Sequence, residues 1–343
     1  MASYVQHPIV PVDTKKAAEA GWDRLPLNYA IPEVAPSLAD AQAYCKKLAT
    51  SHYENFSVVT WFLPKHLHQH FFNVYAYCRI SDDLGDEVGD TALSLKLLDE
   101  WEQELNATYL SMVEAAPVDV RKDVEKLQAQ GVTRNSVSPR HPVFIALRET
   151  IREFDIPRAP FANLLTAFRE DQTITRFESF DDVLGYCQNS ANPVGHLVLY
   201  LCGYRDAERQ QLSDYTCTAL QLANFWQDVF VDYGKGRIYL PLESLRRFGV
   251  SEQDIAERRA TPQFIELMKF EVARAREWFA KGLPLVKMVN RELALDVELF
   301  SRGGQEILNA IERQRYDVLK SRPAISKPKK LWLVLRAATG KLL

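Results

Sequence analysis

Long apolar runs and a cysteine framework are both missing from this sequence, and their absence narrows the classes of protein to consider. No segment approaches the roughly 20 apolar residues that span a bilayer, so we expect a protein that is soluble or lies on a membrane surface. Five cysteines, an odd number without a CxxC pair, predict neither a disulfide framework nor a zinc site. A reducing, cytoplasmic compartment is therefore the expectation.

Basic excess is also lacking, because 42 Lys and Arg stand against 45 Asp and Glu, for a net charge of −3. A nucleic-acid-binding surface normally requires an excess of positive charge, so we expect no nucleic-acid partner. The start of the sequence, MASYVQHPIVPVDTKK, has no charged segment followed by an apolar one and predicts no secretory signal. No GxGxxG-type dinucleotide loop occurs.

Helical periodicity is what the sequence does contain. Hydrophobic residues make up 47% of 343 residues, which is ample for a core. Strand alternation is nearly absent, so an all-α fold is predicted. Residues 1–36 predict an extended arm, residues 37–320 a single helical domain, and residues 321–343 a basic and apolar tail. The segments with helical spacing are 37–50, 66–88, 91–112, 141–154, 159–173, 180–203, 206–233, 261–286 and 289–319.

The segment YAYCRISDDLGDE, residues 75–87, carries four acidic residues in six positions behind an apolar run. At about 100° per residue, Tyr75, Arg79, Asp82 and Asp86 fall in a stripe about 60° wide on one helix face. The residues beside them are mostly apolar, so we expect the stripe to line a cavity. Carboxylates in such a place are costly unless they are compensated, and one arginine offsets a single charge at most.

A second segment, QLANFWQDVFVDYGKGRIYLP, repeats this arrangement. Gln221, Asn224, Asp228 and Asp232 form a stripe about 80° wide on a helix that is otherwise apolar. We expect the two helices to face each other and to place four carboxylates around one apolar cleft.

A hard divalent cation accounts for two acidic stripes that contain neither histidine nor cysteine. Mg²⁺ prefers carboxylate and water oxygens and is usually held by one or two carboxylates together with substrate phosphates. One DxxxD pair is usually a solvated helix face, and the repetition on two apolar helices is what favours a metal site. The sequence thus predicts Mg²⁺ acting as a Lewis acid on the diphosphate of an isoprenoid.

Three segments together resemble the squalene and phytoene synthases, which are all-α enzymes that join or process isoprenyl diphosphates head to head. The segments are YAYCRISDDLGDE (75–87), YCQNSANPVG (186–195) and QLANFWQDVFVDYGKGRIYLP (221–241). The resemblance covers about residues 37–320 and implies a helical bundle around a central apolar cavity, with Mg²⁺ as cofactor.

The resemblance also implies a role for each matching residue. Asp82 with Asp86, and Asp228 with Asp232, would be the two metal-binding pairs. Tyr186 matches the helix whose kink shapes the cavity, and it joins these four as a catalytic residue. The residues implied to bind substrate are His52, Asn55, Phe56, Tyr75, Arg79, Asp83, Gln221, Asn224, Arg237 and Tyr239.

One element departs from the family pattern. Many members carry His-Ser-x-Ser-Phe, whose serines help to hold diphosphate, where this chain has His-Tyr-Glu-Asn-Phe at residues 52–56. Asn55 still donates hydrogen bonds, but the change argues against the standard first condensation. With SANPVG and NFWQDV, it resembles the bacterial hydroxysqualene synthase branch of hopanoid pathways. That branch ionises presqualene diphosphate and captures the cation with water, without NADPH. The enzymes before and after it in the squalene pathway are the implied partners.

Other interpretations stay open. Squalene, dehydrosqualene or phytoene synthase activity is the nearest alternative. DDLGD also matches the DDxxD of chain-elongating prenyl synthases and terpene cyclases, although the second cluster lacks a doubled aspartate. A non-catalytic, membrane-associated assembly protein of the same fold is the alternative from another class, and the presence of all four aspartates argues against it.

The end of the sequence allows two interpretations. KPKKLWLVLRAATGKLL, residues 327–343, joins basic residues to a short apolar block around Trp332. This tail either packs on the domain or frays as termini do, or it anchors the protein peripherally on the inner face of the cytoplasmic membrane. The preceding run, RQRYDVLKSRP (313–323), predicts a solvated face.

Overall fold

A computed structural model describes residues 29–51, 63–113, 116–132 and 138–326, and the single residues 329, 332 and 336. Its contacts divide the chain into two units, residues 1–57 with 65–172 and residues 58–64 with 173–343. The described residues form helices and no β-strand, with one isolated parallel bridge between Arg176 and Ile238, so the all-α prediction is confirmed. No helix in these ranges is long and apolar enough to cross a bilayer. The single domain over 37–320, with its flanking arm and tail, stays a prediction.

The first acidic stripe lies on a helix of the first unit. All the segments predicted to be helical here contain a helix, and one further helix, α4, lies in a stretch where none is predicted. The helices are α1 (Leu38–Ser51), α2 (His68–Asp86), α3 (Thr91–Leu110), α4 (Val118–Ala129), α5 (Pro142–Phe154) and α6 (Ala159–Glu170).

An aromatic core holds α2 against its neighbours in this unit. Trp101 of α3 is fully buried, lies 4.4 Å from the ring of Phe144, and donates a 2.9 Å hydrogen bond from Nε1 to the hydroxyl of Ser81 on α2. Tyr77 of α2 donates from its hydroxyl to the carbonyl of Phe161, at 2.9 Å. Because buried polar groups are costly without partners, these bonds fix the rotation of α2 about its axis.

The second unit contains the second acidic cluster on its longest helix, α9, which packs against α8, α12 and α13. A 3₁₀ turn, Leu283–Lys287, joins the last two helices. The helices are α7 (Phe180–Ser190), α8 (Asn192–Leu201), α9 (Ala207–Gly234), α10 (Leu242–Phe248), α11 (Glu252–Ala256), α12 (Pro262–Gly282) and α13 (Arg291–Arg313).

Local signals in the sequence set the helix ends. Ser179 begins α7 with a capping box, because its hydroxyl accepts from the backbone N–H of Asp182 while that carboxylate accepts in return. Asp206 caps α9 by accepting from the N–H of Arg209 at 3.0 Å. Such caps are each worth about 1 kcal/mol. Just after the C-terminal end of α8, Gly203 has φ +83°, a conformation that favours glycine.

The kink that the resemblance implies for the helix of Tyr186 is present as a break within SANPVG, because α7 ends at Ser190 and α8 starts at Asn192. Asn192 is buried, and its side-chain oxygen accepts a 3.0 Å hydrogen bond from Thr218 of α9. Gly195 then lets α8 approach α9 closely, since a Cβ at this position would lie 2.3 Å from the Ser213 oxygen and 2.7 Å from the Cys217 sulfur. The break is therefore fastened to the helix that carries Asp228.

Replacing Gly195 with alanine tests this close approach. We expect Gly195→Ala to lower the free energy of unfolding by about 1–3 kcal/mol, because the added methyl group overlaps two side chains of α9. Gly185→Ala is the matched control within α7, since a Cβ there meets no atom within 4 Å. This control should gain up to about 1 kcal/mol from helix propensity. Urea denaturation of both variants measures the difference, and equal stability of the two would contradict the expected overlap.

The solvated face predicted for residues 313–323 is wrong in part. Helix α13 ends at Arg313, and Arg315 and Tyr316 both have positive φ, which turns the chain. Val318 and Leu319 are then buried, with 2% and 1% of their surfaces exposed. Charged residues dominate this run in the sequence, and the two apolar residues that the turn buries are too few to form a visible helical period.

Candidate functional site

The first acidic stripe lies on the accessible face of α2. From Phe71 to Gly85, the residues that are not buried are Tyr75, Cys78, Arg79 and Asp82, and Asp86 follows as an exposed residue. Over residues 71–86, the predicted stripe is thus the accessible face of this helix. The apolar residues predicted to flank it lie in the core.

Arg79 supplies the positive charge of this face. Its guanidinium forms an ion pair with Asp83, which is only 9% exposed, and a longer one of 3.8 Å with Asp82. The ion pair with Arg79 therefore links the buried Asp83 to the stripe. Burial raises the pKa of the Tyr75 hydroxyl one turn earlier, so that side chain stays neutral over the working pH range.

Asp82 is poorly compensated. Desolvation raises the pKa of its carboxyl to about 7, and the nearby carboxylate of Asp86 adds to the effect, while Arg79 opposes it. Half of the Asp82 side chain is still exposed, so a ligand can reach its oxygens. An accessible carboxylate whose ionisation is opposed by desolvation and by a neighbouring carboxylate is suited to bind a cation.

The second stripe follows α9 but changes in accessibility along it. Asn224 is exposed, Gln221 and Asp232 are half-buried, and Asp228 is buried. The neighbours Leu222, Ala223, Phe225 and Trp226 are buried, as the sequence predicts. Asp228 therefore lies where the stripe meets the core of the second unit.

Asp228 is paired with an arginine that lies 94 residues further along the chain. Arg322 donates to both carboxylate oxygens, from Nε to Oδ1 and from Nη2 to Oδ2, the second at 2.8 Å. The same Nη2 donates to the side-chain oxygen of Gln227 at 3.1 Å, and the Gln227 amide donates to the carbonyl of Pro323 at 2.5 Å. Two adjacent residues of α9 thus hold two adjacent residues of the segment after α13.

A tight turn carries the chain from Asp232 to Tyr239. Gly236 has φ +84°, and the N–H groups of Lys235 and Arg237 both donate to the carbonyl of Asp232, at 3.0 and 2.9 Å. Arg176 then donates to the carbonyl of Gly236 at 2.7 Å. Glycine suits this position because other residues rarely adopt positive φ, and the turn places Arg237 close to the end of the second stripe.

Aromatic rings gather beside this turn. Tyr239 stacks on Phe225 with ring centroids 3.8 Å apart and an interplanar angle of 7°. Phe177 stacks on Tyr239 at 5.5 Å, and Tyr186 contacts all three rings at 5.6–6.0 Å. We call these four residues the aromatic cluster. All four rings are buried, and an aromatic ring attracts a nearby cation by about 0.5–2 kcal/mol.

Several predicted site residues lie outside the described part of the chain, namely His52, Asn55 and Phe56. The two acidic stripes belong to different units, and their meeting at one cleft stays a prediction. Within the described residues, no group of three or more His, Cys, Asp or Glu side chains is arranged to hold a metal ion. The carboxylates that could contribute to a metal site come in pairs, Asp82 with Asp86 and Asp228 with Asp232.

Sequence reasoning missed Arg322, Phe177 and Phe225 as members of this site. Phe177 reaches Tyr239 because the backbone N–H of Ile238 donates to the carbonyl of Thr175, at 2.9 Å. No local pattern indicates that pairing. Phe225 lies next to Asn224 in the segment that carries the second stripe. An aromatic residue at that position was the sequence signal that could have identified it as a site residue.

Comparison with known proteins agrees with this picture. A family model described as squalene/phytoene synthase matches residues 49–329. The phytoene synthase of Arthrospira platensis is 26% identical over 306 residues, which cover 85% of this chain and 91% of that protein.

Two solved structures are similar in both fold and sequence. One is the squalene synthase HpnC from Alicyclobacillus acidocaldarius, with a TM-score of 0.71 and 40% identity over 81% of this chain and 95% of that one. The other is a dehydrosqualene synthase in complex with a ligand, with a TM-score of 0.72 and 25% identity over 89% and 97% of the two chains. The family model over residues 49–329, the 40% identity to the Alicyclobacillus protein and the helical fold together establish that this chain belongs to the squalene/phytoene synthase family.

Proposed function

We propose that the protein is a hydroxysqualene synthase that converts presqualene diphosphate and water to hydroxysqualene and diphosphate. Head-to-head chemistry on isoprenyl diphosphates is the activity of the family. The observation that carries the proposal is the accessible face of α2, where Asp82 and Asp86 lie exposed to solvent one helical turn apart and burial raises the pKa of Asp82. The choice of branch is supported by SHYENF and NFWQDV, and by 40% identity to a squalene synthase named HpnC.

The donor set fits Mg²⁺. All four proposed ligands, Asp82, Asp86, Asp228 and Asp232, are carboxylates, which hard cations prefer. Carboxylates that come in pairs, as these do among the described residues, suit an ion that takes its remaining oxygens from water and a diphosphate. When bound, Mg²⁺ supplies Lewis-acid neutralisation of charge on the leaving diphosphate.

The remaining work falls to the chain's own side chains. Arg79 and Arg237 donate charge-assisted hydrogen bonds to diphosphate oxygens. The carbon–oxygen bond then breaks, diphosphate takes the electron pair, and a cyclopropylcarbinyl cation is left on the substrate. The aromatic cluster, to which Tyr186 belongs, stabilises this cation by cation–π attraction. Water adds to the cation and loses a proton, which yields the alcohol without any reductant.

Product analysis tests the proposal. Purified protein is incubated with presqualene diphosphate and Mg²⁺, and the extracted lipid is examined by mass spectrometry. Hydroxysqualene carrying ¹⁸O from labelled water is the expected product, and it should not require NADPH. Squalene formed only with NADPH, or unreacted substrate, would overturn the assignment.

A second candidate is the condensation of two prenyl diphosphates, as the names of the relatives suggest. The solved dehydrosqualene synthase and the curated phytoene synthase are both similar over more than four fifths of this chain. Farnesyl and geranylgeranyl diphosphate, each supplied alone with Mg²⁺, distinguish this candidate. A C30 or C40 product from either substrate would favour condensation over water capture.

The proposal extends to a peripheral position on an anionic membrane, since both substrate and product are lipids. Residues 327–343 contain five basic residues and no acidic one. Lys329 and Arg336 lie 4.5 and 4.8 Å from the ring of Trp332, which is 44% exposed. A tryptophan with flanking cations suits the interface of a bilayer. Co-sedimentation with phosphatidylglycerol vesicles, and not with phosphatidylcholine vesicles, is the expected behaviour, and equal sedimentation with both would count against it.

A further inference from the structure

The proposed reaction gives no role to the ion pair between Arg322 and Asp228 in the second unit. Arg322 engages both oxygens of the carboxylate. A metal ion that coordinates Asp228 needs at least one of these oxygens. The guanidinium and the metal therefore draw on the same atoms.

Burial differs sharply between the two partners. The side chain of Asp228 is 11% exposed, whereas that of Arg322 is 51% exposed. A buried carboxylate left without a cation is strongly unfavourable, while a half-exposed guanidinium regains water when it leaves. The pair is thus necessary to Asp228 and dispensable to Arg322.

The backbone next to Arg322 has an anchor of its own. The side-chain amide of Gln227, itself buried, donates to the carbonyl of Pro323 at 2.5 Å. This bond does not involve Asp228 or the guanidinium. The Arg322 side chain can therefore leave the carboxylate while the backbone of its segment stays attached to α9.

We propose that Arg322 is a positioning residue that serves as the counter-ion of Asp228 until a divalent cation replaces it. The inference rests on the proposed metal role of Asp228. In the absence of metal, Arg322 balances the charge of a buried carboxylate and holds both of its oxygens in place. When a divalent cation takes over this role, the guanidinium would move away from α9 and leave Asp228 already oriented as a ligand. The cost is a weaker intrinsic affinity for metal, since each binding event must break the ion pair.

Direct metal binding, without diphosphate or substrate, tests this competition. Mn²⁺ serves as a paramagnetic substitute for Mg²⁺, and its free concentration is followed by electron paramagnetic resonance. Arg322→Gln should bind Mn²⁺ at least about fivefold more tightly than the wild type, because no cation competes for Asp228. Arg322→Lys, which keeps a charge but loses the two-pronged contact, should fall between them. Unchanged or weaker binding by Arg322→Gln would overturn the proposal.

Lys320→Gln is the matched control. It removes one positive charge two residues away from Arg322 at an exposed position, so wild-type affinity is expected. An equal gain in affinity in this variant would trace the effect to net charge and reject a specific counter-ion.

A double-mutant cycle covers the case in which Arg322→Gln is too unstable to titrate. In metal-free buffer, introducing Arg322→Gln into the wild-type protein should lower its melting temperature. Introducing the same substitution into the Asp228→Asn variant should hardly change the melting temperature. A full loss in both backgrounds would place the stabilising contact elsewhere and overturn the inference. Failure of the proposed function gives a different result, namely wild-type metal affinity and turnover in Asp228→Asn.

Discussion

Asp82→Asn should lower turnover by about 10³-fold while leaving the protein folded. Asparagine keeps the size of the side chain and one oxygen but removes the charge that a divalent cation requires. Asp82 lies on the accessible face of α2 and does not take part in the buried hydrogen bonds that hold this helix. Single-turnover release of diphosphate measures the chemical step apart from product release.

Glu87→Gln is the matched control for this prediction. Glu87 is an exposed carboxylate directly after α2, about 120° away from Tyr75 on the helical wheel and thus off the stripe. It should retain wild-type turnover. Full activity in Asp82→Asn, or an equal loss in Glu87→Gln, would remove the first metal-binding pair from the mechanism.

Asp82→Asn should also be more stable than the wild type when metal is absent. The pKa of Asp82 is raised from its ordinary value near 4 to about 7. Between these values the unfolded chain releases the proton first, so the stability of the wild type falls as pH rises from about 4 to about 7. Asp82→Asn lacks this loss, and its melting temperature should exceed that of the wild type most clearly at or above pH 7. A catalytic carboxylate held at a cost to stability behaves in this way.

Asp228→Asn should give the opposite result in metal-free buffer, because it breaks an ion pair, whereas Asp82→Asn removes a carboxylate whose ionisation desolvation opposes. The two stripes look alike in the sequence, because each has two aspartates four residues apart on an otherwise apolar helix. They differ in the partner that the fold supplies. Arg79 lies in the same motif as Asp82, whereas Arg322 reaches Asp228 from 94 residues away.

Helical period and end signals were enough to predict the fold. Pro142 begins α5, Gly234 ends α9, and the apolar spacing between them is that of helices packed on one face. Three described helices, α4, α10 and α11, lie outside the predicted segments. The longest of them, α4, was missed because six of its twelve residues are charged. Its buried residues Val120, Val124 and Leu127 have helical spacing but too little total hydrophobicity to stand out.

The site was predictable where its residues lie close together in the sequence. The accessible face of α2 follows directly from spacings of three and four residues, because one helix turn decides which side chains share a face. The pairing of Arg322 with Asp228, and of Phe177 with Tyr239, depends on how distant segments pack. A single sequence carries no local signal of such contacts, since they are set by tertiary structure.

The second large predicted effect is on the stability of the folded protein, and it comes from the buried carboxyl of Asp296. It lies on α13 with 3% of its surface exposed, and neither carboxylate oxygen has a hydrogen-bond partner among the described residues. Burial raises the pKa of this carboxyl to about 8. Below about pH 4 the group is protonated in both the folded and the unfolded chain and has no effect. Between about pH 4 and pH 8 only the unfolded chain ionises, so the folded state loses stability steadily as pH rises.

Asp296→Asn should therefore stabilise the protein by an amount that grows with pH and reaches the order of a few kcal/mol near pH 8. The neutral amide needs no proton to stay buried, which removes the cost of ionisation. Glu298→Gln, two residues along the same helix, is the matched control. Glu298 is equally buried but forms an ion pair of 2.7 Å with Arg302, so its neutralisation should destabilise the protein. Thermal unfolding of both variants from pH 5 to pH 8.5 separates the two cases. A pH-independent change in Asp296→Asn would mean that the buried carboxyl has a partner or water that keeps it ionised.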